Sequence, residues 1–221
     1  MIEIIEDYIE VRTGCYLNAD KDLDVVILLD ESGSMGPYRS EVISTFNEYV
    51  NDVRDTAKTI SLYTFDSKGI REKLYKEDTK NVQSLTEQNY CPDAATPLYD
   101  AMGKVINKFR DTKGKVQFVV HTDGAENNSE EFTYKTITAI VDDLTEKGWL
   151  FVFLGEGLVA QKQFKDFKGM KVNYSADNRG ATMQSLGATT QVYSCSTIAD
   201  TKVLNNTEID IDDQVKKEKT V

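Results

Sequence analysis

Three short stretches, Val25 to Leu29, Val116 to Val120 and Trp149 to Leu154, are near-continuous runs of apolar side chains. A strand with one face in water alternates apolar and polar residues, whereas a strand apolar along its whole length must be covered on both faces. Such strands belong to parallel sheets with helices on either side. The intervening segments supply those helices. Apolar residues recur at helical spacing at Val42, Phe46, Tyr49, Val50 and Val53, at Leu98, Met102, Val105, Ile106 and Phe109, and at Ile137, Ile140, Val141 and Leu144. Thr59 to Phe65 reads as a further strand. The turn Asp66-Ser67-Lys68-Gly69 then leads into Ile70 to Tyr75, whose Arg71 and Lys73 suit an exposed antiparallel edge. Lys171 to Ser175 reads as the last strand and Ala181 to Ser194 as a closing helix. The expected class is α/β: a doubly wound, mostly parallel central sheet with one antiparallel edge strand and helices on both faces.

A chain of 221 residues suits one such domain, and with 3 Pro, 13 Gly and no low-complexity stretch it offers no linker. The expected organisation is an N-terminal extension over 1–21, the domain over 22–197, and a polar, flexible tail over 198–221.

Charge and targeting signals narrow the function. The formal charge of −11, from 26 Lys and Arg against 37 Asp and Glu, repels phosphate backbones and anionic lipid, so neither nucleic acid nor membrane is an expected partner. The opening MIEIIEDYIEV lacks the basic and long apolar regions of a secretion signal. Cys15, Cys91 and Cys195 are odd in number and far apart, as free thiols in a reducing compartment would be. The expected location is cytoplasmic.

The first apolar run ends in DESGSMG, with Asp30, Ser32 and Ser34 at alternate positions before any helix begins. Strand, polar loop, helix is the architecture of a site at the carboxyl edge of a doubly wound sheet. Neither the G-x-x-x-x-G-K-[ST] phosphate cradle nor the G-x-G-x-x-G fingerprint is present. The loop offers only oxygen ligands, a hard-donor set suited to Mg²⁺, Mn²⁺ or Ca²⁺ and not to zinc. Two further oxygens stand in corresponding places, Thr96 in AATPLYDAM and Asp123 in FVVHTDGAEN.

Taken together, D-x-S-x-S at Asp30, Ser32 and Ser34, T-P-L-Y-D-A at Thr96 and T-D-G-x-E-N at Asp123 resemble the von Willebrand factor type A domain over roughly residues 22 to 197. The resemblance implies a metal-ion-dependent adhesion site. Ser32 and Ser34 would coordinate the ion directly, and Asp30, Thr96 and Asp123 directly or through water. Mg²⁺ takes six oxygens, so the set leaves a position for a carboxylate from a partner. The function implied is that of a protein-interaction adaptor, with an Asp or Glu of the partner as ligand. Stand-alone A-domains of bacteria and their phages are similar, and some intracellular ones work beside AAA+ ATPases. One departure stands out: Ala94 and Ala95 precede Thr96 where many relatives carry glycines.

Blander roles compete for each residue. Asp30 and Ser32 could cap the next helix, and Thr96-Pro97 reads as an N-cap followed by a first-turn proline. Glu126 and Asn127 could orient the site or serve a turn, Asp100 suits a helix dipole, and Glu31 has no evident target. His121 reads as a core histidine. The competing function is a metal-dependent hydrolase using a metal-bound water or Ser32. It lacks the G-x-S-x-G elbow and a histidine base, leaving only Glu31 or Glu126 for that role.

Overall fold

A computed structural model describes residues 22–123, 125–156, 162–174 and 178–211. The chain enters at β1 (Leu23–Asp30), passes through a short 3-10 turn (Gly33–Tyr38) into α1 (Arg39–Asp52), and continues to β2 (Thr59–Asp66) and β3 (Gly69–Asp78). A long loop leads to α2 (Leu98–Phe109), followed by β4 (Lys115–Thr122), α3 (Tyr134–Glu146), β5 (Leu150–Glu156) and β6 (Met170–Tyr174). The described chain closes with α4 (Arg179–Cys195), α5 (Ile198–Leu204) and β7 (Glu208–Asp210). The sheet has seven strands in the order β3-β2-β1-β4-β5-β6-β7. Only the β2–β3 pairing is antiparallel.

The apolar runs are buried on both faces, as their composition requires. Along β1, Val25, Ile27 and Leu29 face α1 and α4, while Val26 and Leu28 face α2 and α3. Along β5, Leu150, Val152 and Leu154 take the first side and Phe151 and Phe153 the second. The expected helical stripes land on the matching layers, with Val42, Phe46, Tyr49 and Val50 on one and Leu98, Met102, Val105, Ile106 and Phe109 on the other.

The domain boundary differs from the sequence reading. The chain does not leave the fold at residue 197. A capping box between Thr197 and Asp200 starts α5, and β7 pairs in parallel with β6 through Val172 and Ile209. Ile209 and Ile211 are 1% and 2% exposed, so two isoleucines alternating with acids are enough to attach a segment that composition alone made look like a tail. Asn205 adds a polar clasp, donating to Trp149 O at 2.9 Å and accepting from Phe151 N at 3.1 Å. The expected extension over 1–21 and the tail beyond 211 lie outside the described residues.

From β1 the chain moves outward to β2 and β3, then returns across β1 to β4 and moves outward the other way. The connections therefore part between β1 and β4. At such a switch point the loops leaving the two carboxyl ends diverge and open a crevice.

Candidate metal centre

Asp30 ends β1 at that crevice and is 0% exposed. Its Oδ1 accepts the Ser32 backbone N–H at 2.8 Å, its Oδ2 accepts the Thr122 hydroxyl at 2.5 Å, and its carbonyl accepts the Tyr90 hydroxyl at 2.7 Å. Burial pushes the carboxyl up from 3.8 to about 6; the bonds from Thr122 and Ser32 pull the other way, and the nearby Asp123 charge adds to the rise. A carboxylate in this condition gains from a cation.

Ser32 and Ser34 lie at the start of the 3-10 turn. Their hydroxyl oxygens are 3.1 Å apart, and Ser34 donates to Asp123 Oδ1 at 2.8 Å. Ser32 occupies the position before the turn, yet its side chain makes no capping bond. Capping does not account for it.

Thr96 is 3% exposed at the end of the loop that leads into α2. The helix does not use it as the cap that the sequence suggested: Pro97 holds that position without a capping bond, and the first-turn N–H groups of Tyr99 and Asp100 donate instead to Glu126 and to the Ser129 hydroxyl. Among the described residues the Thr96 hydroxyl takes no hydrogen bond, while its backbone exchanges two with Asn127, N to Oδ1 at 2.9 Å and O from N at 3.2 Å. Hydrogen bonds thus link Asp30 to Ser32, Ser32 to Ser34, and Ser34 to Asp123. Thr96 makes none to those four and is brought in by its loop, through Gly33 N to Ala94 O at 3.0 Å and Asp93 N to Glu31 O at 2.8 Å.

The departure at Ala94 has a structural expression. Ala94 adopts φ 65°, in the left-handed region that favours glycine.

The neighbouring acids are committed elsewhere. Glu126 accepts from Tyr99 N at 2.9 Å, Asn128 N at 2.8 Å and Ser129 N at 2.6 Å, and from the Ser129 hydroxyl at 2.7 Å. Asp100 accepts the backbone N–H groups of Glu130, Glu131 and Phe132 at 3.0, 3.0 and 2.8 Å. Burial alone would raise its carboxyl, but these three donors outweigh burial and hold it below the usual range. Glu31 is buried in an ion pair with Arg71. Both carboxylates that the sequence left as candidate bases are therefore engaged in holding loops. His121, 5% exposed, lines a cavity of about 20 Å³ with Ile27, Leu29 and Leu154, as a core histidine does.

Thr122 and Tyr90 were not singled out in the sequence, although Thr122 stands beside Asp123 in the same motif and faces Asp30 across the sheet. No group of three or more His, Cys, Asp or Glu is placed to hold a metal among the described residues. The oxygens that converge are two carboxylates and serine hydroxyls, a set that fits a hard divalent cation.

Solved structures share this architecture. The vWF domain of the type V pili tip protein Mfa5 from Porphyromonas gingivalis is 11% identical, with a TM-score of 0.62 over 79% of this chain and 96% of that one. The fold is that of a von Willebrand factor type A domain. The ArnB paralog VWA2 from Sulfolobus acidocaldarius is 17% identical, with a TM-score of 0.53 over 76% of this chain. Proximal thread matrix protein 1 from the mussel byssus, in a structure whose MIDAS motif is occupied by zinc, is 13% identical, with a TM-score of 0.55 over 76% of this chain. The chain spans 44% of the Sulfolobus structure and 45% of the mussel one, so it matches a part of each and not the whole protein. No protein-family model matches the sequence, and no curated protein does. Within the described residues of this A domain, no helix is long and apolar enough to cross a membrane.

Proposed function

We propose that Asp30, Ser32, Ser34, Thr96 and Asp123 hold a divalent cation, Mg²⁺ in the first instance, through which the domain captures an acidic side chain of a partner protein. The observation that carries this reading is the convergence of Ser32, Ser34 and Asp123, in which Ser34 reaches a carboxylate 89 residues away at 2.8 Å. Ser32 makes no capping bond, and the two serine hydroxyls pair with each other and with the Asp123 carboxylate, an arrangement that cation binding accounts for. The zinc at the MIDAS of the mussel protein supports a metal at the equivalent place in this fold.

The bound ion would supply a positive charge with an open coordination position. Asp30 and Asp123 would neutralise most of its charge, and the hydroxyl oxygens would fix its place without adding more negative charge. A further carboxylate could then join without anionic crowding. Because the chain carries −11 overall, attraction to an acidic partner has to come from the ion itself. The domain acts as a binding module in this reading, with no catalytic step.

The test is calorimetric titration of Mg²⁺ and Mn²⁺ into protein stripped with EDTA, alongside Asp123→Ala. Binding at one site in the wild type, lost in the variant, is the expected result. Equal heats in the two proteins would remove these residues from the reading.

A further inference from the structure

We propose that Glu31, the residue between Asp30 and Ser32, is a positioning residue that sets where Thr96 stands relative to the cation site. The inference rests on the function proposed above. Glu31 is 2% exposed, and its carboxylate is engaged by Arg71 and by the Cys91 backbone. Its Oε1 accepts the Cys91 backbone N–H at 2.5 Å, and its own carbonyl accepts the Asp93 N–H at 2.8 Å. One residue of the Asp-x-Ser-x-Ser turn thus grips the Thr96 loop at two points.

The grip is backed by charge. Arg71 on the edge strand β3 places one guanidinium nitrogen 3.2 Å from Glu31 Oε2 and another 2.5 Å from Asp66 Oδ2, and Lys73 stands 3.9 Å from Glu31. Asp66 is itself 1% exposed. Two carboxylates out of water are costly unless paired with good geometry, and a forked guanidinium spans both where a single ammonium could not. Asp66 also ends β2, whose next residue, Ser67, holds Ala95 from both sides: Ser67 N donates to Ala95 O at 2.9 Å, and Ala95 N donates to the Ser67 hydroxyl at 3.2 Å.

The segment from Cys91 to Ala95 is therefore tied at Cys91 and Asp93 to Glu31, at Ala94 to Gly33, and at Ala95 to Ser67. Thr96 follows without a break, and Asn127 fixes its backbone from the other side. Since the Thr96 hydroxyl takes no bond of its own among the described residues, its position follows from its backbone, held by this loop and by Asn127. Outer partners of this sort typically alter metal affinity about tenfold or more when removed.

The experiment compares wild type, Glu31→Gln and Arg71→Lys. The glutamine variant would keep an acceptor for Cys91 N while removing the charge that Arg71 holds; the lysine variant would keep a positive charge while losing the fork. Amide hydrogen exchange without metal reads the loop, and Mn²⁺ affinity at a temperature where all three proteins are folded reads the site. Expected are faster exchange at Cys91 and Asp93 in both variants and Mn²⁺ affinity weaker by about tenfold in Glu31→Gln, with a loss in the same direction in Arg71→Lys. A strut with only a structural role would lower the thermal midpoint and leave Mn²⁺ affinity unchanged in both variants, which overturns the proposal. Failure of the wild type to bind Mn²⁺ is a separate outcome and sinks the function on which the inference stands.

Discussion

Thr122 donates its hydroxyl hydrogen to Asp30 Oδ2 at 2.5 Å, across the seam between β4 and β1. This bond offsets part of the cost of burying the carboxylate, yet burial still raises the group from 3.8 to about 6. A raised folded-state value means that the fold binds the proton more tightly than the unfolded chain does. The resulting stability is fully present below about 3.8 and is lost as pH rises through about 6. The two-unit shift corresponds to about 3 kcal/mol. In EDTA, Asp30→Asn should therefore be more stable than wild type above pH 6 by up to about 3 kcal/mol, and the gap should close toward pH 4. Urea midpoints of the two proteins across this range check it. A pH-independent gap would show that burial of charge is not the cause.

Thr96 separates capping from ligation. Since the helix takes Pro97 at its cap position and the Thr96 hydroxyl takes no hydrogen bond among the described residues, Thr96→Val should cost no more than about 1 kcal/mol of metal-free stability. Its thermal response to Mg²⁺ should nonetheless fall, whereas Thr96→Ser should respond like wild type. Scanning calorimetry with and without Mg²⁺ distinguishes the cases. A large metal-free loss in the valine variant would restore a structural role for the hydroxyl.

Ala94 sits at φ 65° without the glycine that this region favours. Ala94→Gly should raise stability by about 1 kcal/mol, because relief of the left-handed strain exceeds the extra chain entropy of glycine. Ala95, which has no such φ, should respond to the same substitution with no gain. Chemical denaturation of both variants reads the contrast.

Burial on both faces made much of the fold legible in advance. It turned β1 and β5 into apolar runs, and it left single stripes on α1, α2 and α3. The Asp-x-Ser-x-Ser turn pointed to a site only jointly with Thr96 and Asp123, since a carboxylate and hydroxyls at a strand end suit a helix cap as well. The partners of Asp100 and Glu31 were not legible, since they are backbone N–H groups of other loops and a guanidinium on another strand, which leave no local pattern, whereas the turn role open to Glu126 is met by Asn128 and Ser129 just beyond it. β7 was hidden for a different reason: its burial rests on Ile209 with Ile211 just beyond, among acids. Ile209→Ala should accordingly cost about 2 to 4 kcal/mol, measured by urea unfolding, and a chain ended at 197 should be destabilised further. A loss below about 0.5 kcal/mol for Ile209→Ala would put β7 outside the cooperative unit.

The bond from Ser34 to Asp123 closes a loop of 89 residues and that from Thr122 to Asp30 one of 92. Contacts this distant in sequence form only after the chain has met the entropy of closing those loops, as the β1–β4 pairing beside them must, so the cluster is complete only once the centre of the sheet is joined. An ion held by it cannot guide early collapse. It would act instead as a latch on the finished molecule, slowing unfolding while leaving the refolding rate almost untouched. A fragment ending before β4 would carry the whole Asp-x-Ser-x-Ser turn and still lack the Asp123 carboxylate, so affinity for the ion would report that the two halves of the sheet have joined.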